Sequence, residues 1–226
     1  VGFIRVTQFN EQSTEGLKKA IGDLSTQAGD KLKGFVIDLR NNPGGLLDQA
    51  IEVADKFLDK GPIVVTVGPS GHPREVKEAI KSDTDEDAYP IVVLVDAGSA
   101  SGAEIVAGAL KENNRAVITG DRSFGKGSVQ QLIELMDGSA LKLTIAKYLT
   151  PLFTDIQSVG ITPDIKLVPA IIAKDNINLF RGIVALREED LKQHLDEHPK
   201  GETSFATIKY FQEIKEKEKT EEPEEE

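Results

Sequence analysis

The chain has 226 residues, of which 39% are hydrophobic, enough to bury one large core or two small ones. Its formal charge of −11 repels phosphate backbones and anionic lipid surfaces, which argues against nucleic acid as a partner. No apolar run approaches the roughly 20 residues that cross a bilayer, and the absence of cysteine excludes disulfides, thiolate nucleophiles and Cys-ligated zinc.

Predicted strands and helices alternate as far as Gly120. This order is typical of an α/β layered domain, because a parallel pair of strands needs a crossover and a helix is the usual one. Short apolar runs indicate strands that are covered by helices on both faces. The predicted strands are 2–9, 34–39, 63–67 and 91–95, and the predicted helices are 11–27, 47–58 and a segment that carries Ile105, Val106, Ala109 and Leu110.

Beyond Gly120 the pattern predicts a hairpin. Strands 128–134 and 140–149 flank the Asp137-Gly138 turn, and 160–167 is expected to be a further, edge strand.

From Ala170 onwards the character of the chain changes, with two polar, helix-prone segments. Segments 187–198 and 204–218 are predicted to be helical, and residues 219–226 have almost nothing to bury. We therefore expect a core domain over 1–168, a C-terminal helical extension over 169–218 and a disordered acidic tail over 219–226.

A serine in a small-residue turn is the first candidate for chemistry. Ser101 lies between a predicted buried strand and a helix. At a helix start, the N–H of Gly102 would face outward at the positive end of the helix dipole, which suits a developing oxyanion. The alternative is a structural role, since Ser101-Gly-Ala-Glu104 also matches a capping box. Ser99, inside the turn, is a weaker candidate.

A glycine-rich turn, Asn41-Asn-Pro-Gly-Gly45, follows the predicted strand 34–39. It puts flexible backbone and free N–H groups at the carboxyl end of the sheet, where α/β folds bind ligands. The alternative is a tight connection from strand to helix.

A serine nucleophile needs a base, and the histidines do not supply one. His72 lies in a loop flanked by Gly and Pro, and the other two histidines lie in the polar C-terminal segment. The other base known for serine is a lysine whose pKa is lowered by burial. Lys126 is the candidate, because glycines on both sides allow close backbone packing. The alternative is an ordinary solvated lysine.

Two patterns that resemble metal sites are rejected. His194-Leu-Asp-Glu-His198 reads H-x-x-E-H, as in inverted zinc peptidases, but Pro199 ends the helix at once and only a short acidic tail remains to supply a third ligand. The run Asp83-Thr-Asp-Glu-Asp87 is not an EF-hand, since Ala88 stands where glycine is required.

Taken in chain order, the motifs resemble those of one family. They are Gly2–Phe9, Asp38–Leu46, Gly98–Ser101 with Glu104–Leu110, Phe124–Gln131, Asp137–Thr144 and Gly160–Asp164. From its start to about position 168, the chain is similar to the protease domain of the carboxy-terminal processing (tail-specific) serine proteases. The resemblance implies an α/β fold shared with crotonase-like enzymes and a serine endopeptidase activity.

The resemblance also implies roles for five residues. Ser101 would be the nucleophile and Lys126 its base, at the spacing that the family shows, with Gln130 assisting the lysine. The backbone N–H groups of Gly45 and Gly102 would form the oxyanion hole. No metal or cofactor is implied.

Two segments depart from the family pattern. Ser99-Ala-Ser-Gly-Ala-Glu104 stands where the family commonly has Ser-Ala-Ser-Ala-Ser-Glu, so the last serine is lost. Thr150-Pro-Leu-Phe-Thr-Asp155 replaces the usual small and basic residues.

The family resemblance further implies protein or peptide substrates with accessible C-termini and an exported, periplasmic-type location. Family members carry a peptide-binding PDZ domain before the first strand, whereas this chain begins at Val1 without one, so weak and poorly selective cleavage is expected. The alternative is a non-catalytic peptide-binding or scaffold module on the same fold.

Overall fold

The computed structural model describes residues 1–68, 71–81, 89–173, 176–178, 186–191 and 204–213. In chain order the elements are β1 (Gly2–Arg5), α1 (Ser13–Ala28), β2 (Phe35–Asp38), α2 (Leu47–Asp55), β3 (Pro62–Val67), β4 (Pro73–Glu78), β5 (Ile91–Val95), α3 (Gly102–Glu112), β6 (Ala116–Gly120), β7 (Ser128–Glu134), β8 (Ala140–Leu149), β9 (Ile165–Ala173), β10 (Asn176–Asn178) and β11 (Ala206–Glu213), with short 3-10 turns at Gly29–Lys31 and Glu188–Asp190.

The described strands form two sheets. The larger has the order β1-β2-β5-β6-β9-β10, with β11 also paired to β9. Its pairings are parallel except that of β10 with β9. The smaller sheet has the order β4-β3-β8-β7 and is antiparallel. The α/β class predicted from the sequence is confirmed.

Helix α3 lies at the centre of the core. It contacts β6 of the larger sheet and β3 of the smaller one, and its residues from Gly102 to Leu110 are all buried. Its apolar side chains belong to the same core cluster as Ile37 of β2 and Val93 of β5. Burial on every side fixes the N-terminal end of α3 firmly, and this is the end at which Ser101 lies.

The register of the larger sheet brings three loops to one edge. Asp38 of β2 pairs with Leu94 of β5, and Val95 of β5 pairs with Gly120 of β6. The loops that follow these three strands therefore meet at the carboxyl edge of the sheet, the usual ligand-binding side of such folds.

Several predicted bounds need correction. Strands 91–95, 128–134 and 140–149 are confirmed, whereas β4 and β6 were not predicted. The first strand ends at Arg5, and Phe9 forms only an isolated bridge to Gly45. The predicted strand 160–167 begins only at Ile165, the first residue of β9, and the predicted edge position is wrong because β9 has strands on both sides.

The helix predicted over 204–218 is wrong for the residues described. Ala206–Glu213 is strand β11, which pairs in parallel with β9 from Ile165 onwards. Its β-branched and aromatic residues suit a strand, and the available partner overrides the helical spacing. Of the predicted helix 187–198, the described part contains a 3-10 turn, Glu188–Asp190.

Other predictions fall outside the described residues. These are the His194–His198 string, the acidic run 83–87 and the tail 219–226. Within the ranges that the structure covers, no helix has the length and apolar character needed to span a bilayer. Strand β9 runs through the predicted domain boundary at residue 168 without a break.

Candidate active site

Ser101 has a backbone conformation that side-chain-bearing residues rarely adopt, with φ 54° and ψ −114° at the N-terminal end of α3. Such a conformation costs about 1–3 kcal/mol and persists only where the surroundings enforce it. Here the Ala100 N–H donates to the Asn42 carbonyl (2.9 Å) and the Ser101 N–H donates to Glu104 Oε2 (2.8 Å). The second bond is the Glu104 half of the expected capping box, so Ser101 is a strained residue as well as a cap.

Ser99 has a structural role. Its buried hydroxyl donates to the Leu39 carbonyl (2.8 Å) and accepts the Asp96 N–H (3.0 Å). These bonds tie the end of β5 to the end of β2. Ser99 therefore holds the turn that carries Ser101, and its hydroxyl is already engaged.

Two glycines bring the second turn against Ser101. Gly44 and Gly45 have φ of 96° and 143°. A Cβ on Gly44 would lie 2.7 Å from the Ser101 Cβ, and one on Gly45 would lie 2.0 Å from the Phe9 carbonyl oxygen. Only glycine fits either position.

Asn42 and Asp38 fix the shape of this turn. Asn42 is fully buried; its Nδ2 donates to the Val6 carbonyl and its Oδ1 accepts the Gly44 N–H, both at 2.8 Å. The Asp38 carboxylate accepts two bonds from the Arg40 guanidinium, at 2.8 and 2.9 Å. Burial opposes ionisation of Asp38, but its side-chain and backbone hydrogen bonds from Arg40 outweigh this, so the pKa of Asp38 lies below its ordinary value.

Two backbone donors near Ser101 are available. Within the part of the chain that the structure describes, the N–H groups of Gly45 and Gly102 have no hydrogen-bond acceptor. The β-bridge between Phe9 and Gly45 consists of the hydrogen bonds from the Phe9 N–H to the Gly44 carbonyl and from the Leu46 N–H to the Phe9 carbonyl, so it does not use the Gly45 N–H. Gly102 is the first residue of α3, at the positive end of the helix dipole. A developing oxyanion requires donors of this kind.

Lys126 lies in a loop that is packed closely by its glycines. A Cβ on Gly125 would lie 3.1 Å, and one on Gly127 2.6 Å, from the backbone of residues 156–158. Gly125 also has a φ of 97°. The backbone on either side of Lys126 is therefore fixed against a neighbouring segment, while its own side chain is half-buried.

Glu104 connects the serine and lysine loops. Its Oε2 accepts hydrogen bonds from the N–H groups of both Ser101 and Lys126, each at 2.8 Å, so one oxygen atom binds both backbone nitrogens. Its Oε1 accepts the Ser123 hydroxyl (2.5 Å) and the Gly125 N–H (2.7 Å). One carboxyl group thus sets the spacing of the two backbones.

The environment of Glu104 perturbs its ionisation. The side chain is fully buried, and this burial raises its pKa from 4.5 to about 7 despite the four donors that favour the charged form. Sequence reasoning did not find this role, since the Ser-x-x-Glu spacing pointed only to a helix cap.

The side chains of the predicted dyad are not joined directly. Among the contacts of the described residues there is no hydrogen bond between the Ser101 hydroxyl and the Lys126 ammonium. Gln130 lies on β7 directly after a bulge, with an exposed side chain and no hydrogen bond to Lys126 among the same residues. Hydrogen bonds of catalytic groups often tighten only in the substrate complex, so this separation is compatible with a dyad.

Known proteins resemble this chain over most of its length. Residues 1–167 match the family model described as peptidase family S41. A carboxy-terminal-processing protease of Bartonella bacilliformis is 46% identical over 217 residues, which cover 92% of this chain and 48% of that protein. The chloroplastic carboxyl-terminal-processing peptidase 2 of Arabidopsis thaliana is 42% identical over 164 residues, covering 73% of this chain and 31% of that protein. The chain spans less than half the length of these relatives.

A solved structure supports the same relationship. The photosystem II D1 C-terminal processing protease superposes with a TM-score of 0.67 and 38% sequence identity, covering 73% of this chain and 41% of that chain. The family resemblance predicted from the motifs is therefore confirmed. With a family match over residues 1–167 and a fold of the same kind, the chain belongs to peptidase family S41.

Proposed function

We propose that this chain is a serine endopeptidase that cleaves proteins or peptides near their C-termini, with Ser101 as nucleophile and Lys126 as general base. The observation that most supports the proposal is the shared Glu104 oxygen, which accepts the backbone N–H groups of Ser101 and Lys126 and so keeps the two residues side by side. The strained φ of Ser101 and the available N–H groups of Gly45 and Gly102 add to it.

In the proposed reaction, the neutral Lys126 amine takes the proton from the Ser101 hydroxyl as its oxygen attacks the scissile carbonyl carbon. The N–H groups of Gly45 and Gly102 stabilise the oxyanion that forms. The Lys126 ammonium then protonates the leaving amine, and the C–N bond breaks to leave an ester on Ser101. Water, deprotonated by the same amine, attacks the ester; the Lys126 ammonium then returns this proton to the Ser101 oxygen as the C–O bond breaks, and the carboxylic acid is released.

The substrate is proposed to bind as an extended strand. Strand β7 is an edge of the smaller sheet and follows directly after the lysine loop. Main-chain pairing with such an edge gives affinity with modest sequence demands. The relatives carry names of bacterial and chloroplastic processing proteases. On this basis we propose protein substrates with accessible C-termini and an exported, periplasmic-type location.

The test is peptide hydrolysis by the unsubstituted chain and by Ser101→Ala and Lys126→Ala, with circular dichroism to verify folding. Both substitutions should abolish cleavage, because each removes one chemical step and neither opens a large core cavity. Cleavage by the folded Ser101→Ala protein would refute the assignment. Peptide binding without turnover by the unsubstituted chain would favour a non-catalytic binding module.

A further inference from the structure

A segment that is distant in sequence lies against the loop that carries Lys126. Residues 186–191, here called the strap, contain the 3-10 turn Glu188–Asp190. The Glu188 N–H donates to the Phe124 carbonyl (3.1 Å), just before Lys126 in the chain. The strap therefore contacts the lysine loop through its main chain.

Gln157 makes the second connection, on the other side of Lys126. Its side chain is fully buried, with Oε1 accepting the Gly127 N–H (3.0 Å) and Nε2 donating to Glu188 Oε1 (2.9 Å). The two ends of this amide have opposite polarity, and each meets the partner it requires. Glu188 thus fixes the orientation of Gln157, and Gln157 fixes the backbone directly after Lys126.

Two ion pairs fasten the strap on either side of Glu188. The Arg187 guanidinium pairs with Asp121 (3.1 Å), and the Arg122 guanidinium pairs with Glu189. All four side chains are partly exposed, so each pair adds little to the stability of the folded protein. The pairs hold the strap in place, whereas the hydrogen bonds of Glu188 set the position of the loop.

We propose that Glu188 and Gln157 are positioning residues, which act from the strap through the backbone of the lysine loop to place the Lys126 amine for proton transfer. This rests on the proposed function of Lys126. The glycines on both sides of Lys126 pack against the backbone of residues 156–158, and the side chain of Gln157 in that segment bonds to the loop. The position of the Lys126 side chain therefore depends on how Gln157 is held. Misplacement of a reacting group by about 1 Å can cost about 100-fold in rate.

A reciprocal exchange tests the proposal in the full chain. Gln157→Glu keeps an acceptor for the Gly127 N–H but sets a carboxylate against Glu188, so the connection to the strap is lost. Combining it with Glu188→Gln restores the hydrogen bond in the opposite direction, with the amide at position 188 donating to the carboxylate at position 157. Glu188→Gln alone keeps an oxygen that can accept from Gln157. Gln157→Glu with Glu15→Gln is the matched control, with the same net charge, because Glu15 is exposed on α1.

We expect Gln157→Glu to lower kcat about tenfold with KM changed by less than about twofold, because the lysine is displaced and the binding surface is not. The exchanged double variant should recover kcat to within about twofold of the unsubstituted chain, and Glu188→Gln alone should stay within the same range. The control double variant should stay impaired. Amide hydrogen exchange in residues 121–127 should accelerate in Gln157→Glu and return to its original rate in the exchanged variant.

The proposal is overturned if Gln157→Glu leaves both kcat and exchange unchanged, or if the control double variant recovers as well as the exchanged one. It is also overturned if the exchanged variant is folded by circular dichroism and remains impaired. Failure of the proposed function has a separate signature, namely no cleavage by the unsubstituted chain. In that case the exchange rates alone decide whether the strap fixes the loop, and unchanged rates reject it.

Discussion

Glu104→Gln removes the charge of Glu104 while keeping its size. The carboxylate has four donors: the Ser123 hydroxyl and the N–H groups of Ser101, Gly125 and Lys126. A glutamine has one accepting oxygen, so its NH2 group must face at least one backbone N–H. A buried N–H without an acceptor costs about 1–3 kcal/mol. At low pH the variant should be less stable than the unsubstituted protein by this amount.

The negative charge of Glu104 destabilises the folded protein as the pH rises, which favours Glu104→Gln. The pKa of Glu104 is raised from 4.5 to about 7 in the folded protein. A raised pKa means that its contribution to stability is complete below pH 4.5 and is lost as pH increases to about 7. The full loss is about 3 kcal/mol, and most of it falls between about pH 5 and about pH 8. Glu104→Gln does not titrate and escapes this loss.

Urea unfolding, followed by circular dichroism at about pH 5 and about pH 8, measures the difference. The gap in unfolding free energy between the two proteins should move by about 2–3 kcal/mol in favour of Glu104→Gln at the higher pH. Glu52→Gln, at an exposed position of α2, should follow the unsubstituted protein at both pH values. A gap that does not change with pH would refute the titration of Glu104. The variant should also have a lower kcat at both pH values, because the NH2 group faces the N–H of Gly125, or those of Ser101 and Lys126, and so disturbs at least the loop that carries Lys126.

Three further substitutions test the turns around Ser101. Ser99→Ala should still cleave peptides but unfold about 1–3 kcal/mol more easily, since it removes a structural hydroxyl, and loss of cleavage in a folded protein would contradict this. Gly45→Ala should lower kcat by about 100-fold or more, because its Cβ would lie 2.0 Å from the Phe9 oxygen, and normal kinetics would disprove the close approach. Asp38→Asn should reduce the fall in unfolding free energy at acid pH. The lowered pKa of Asp38 stabilises the folded state above pH 3.8, and this stabilisation is lost as the pH falls. If both proteins lose the same unfolding free energy below pH 3.8, the effect of Arg40 on Asp38 is excluded.

The sequence predicted most of the core, because buried strands and amphipathic helices have clear periods. Strand 91–95 and the hairpin strands 128–134 and 140–149 were predicted with their observed bounds. The C-terminal part could not be predicted in this way. The spacing of Phe205, Ile208 and Phe211 fits a helix, yet residues 206–213 pair with β9, since long-range backbone partners outweigh local propensity.

The candidate site could be predicted where a residue type suggests a chemical role. Ser101 and Lys126 carry functional groups that suggest roles, and the spacing of the family motifs indicated the two glycines. Glu104 and Gln157 could not be found, because their roles depend on which backbone groups they meet after folding. A buried polar side chain within a motif of small residues is the signal that would have pointed to them.

The central claim is that Ser101 is a nucleophile activated by Lys126, and site-mapped labelling tests it most directly. A fluorophosphonate reacts with an activated serine to form a phosphonate ester, with fluoride leaving and the hydroxyl proton passing to the base. Mass spectrometry of the digested protein should locate the adduct on Ser101, and the labelling rate should fall at least about 100-fold in Lys126→Ala. An adduct on Ser99, or unchanged labelling of Ser101 in Lys126→Ala, would contradict the account.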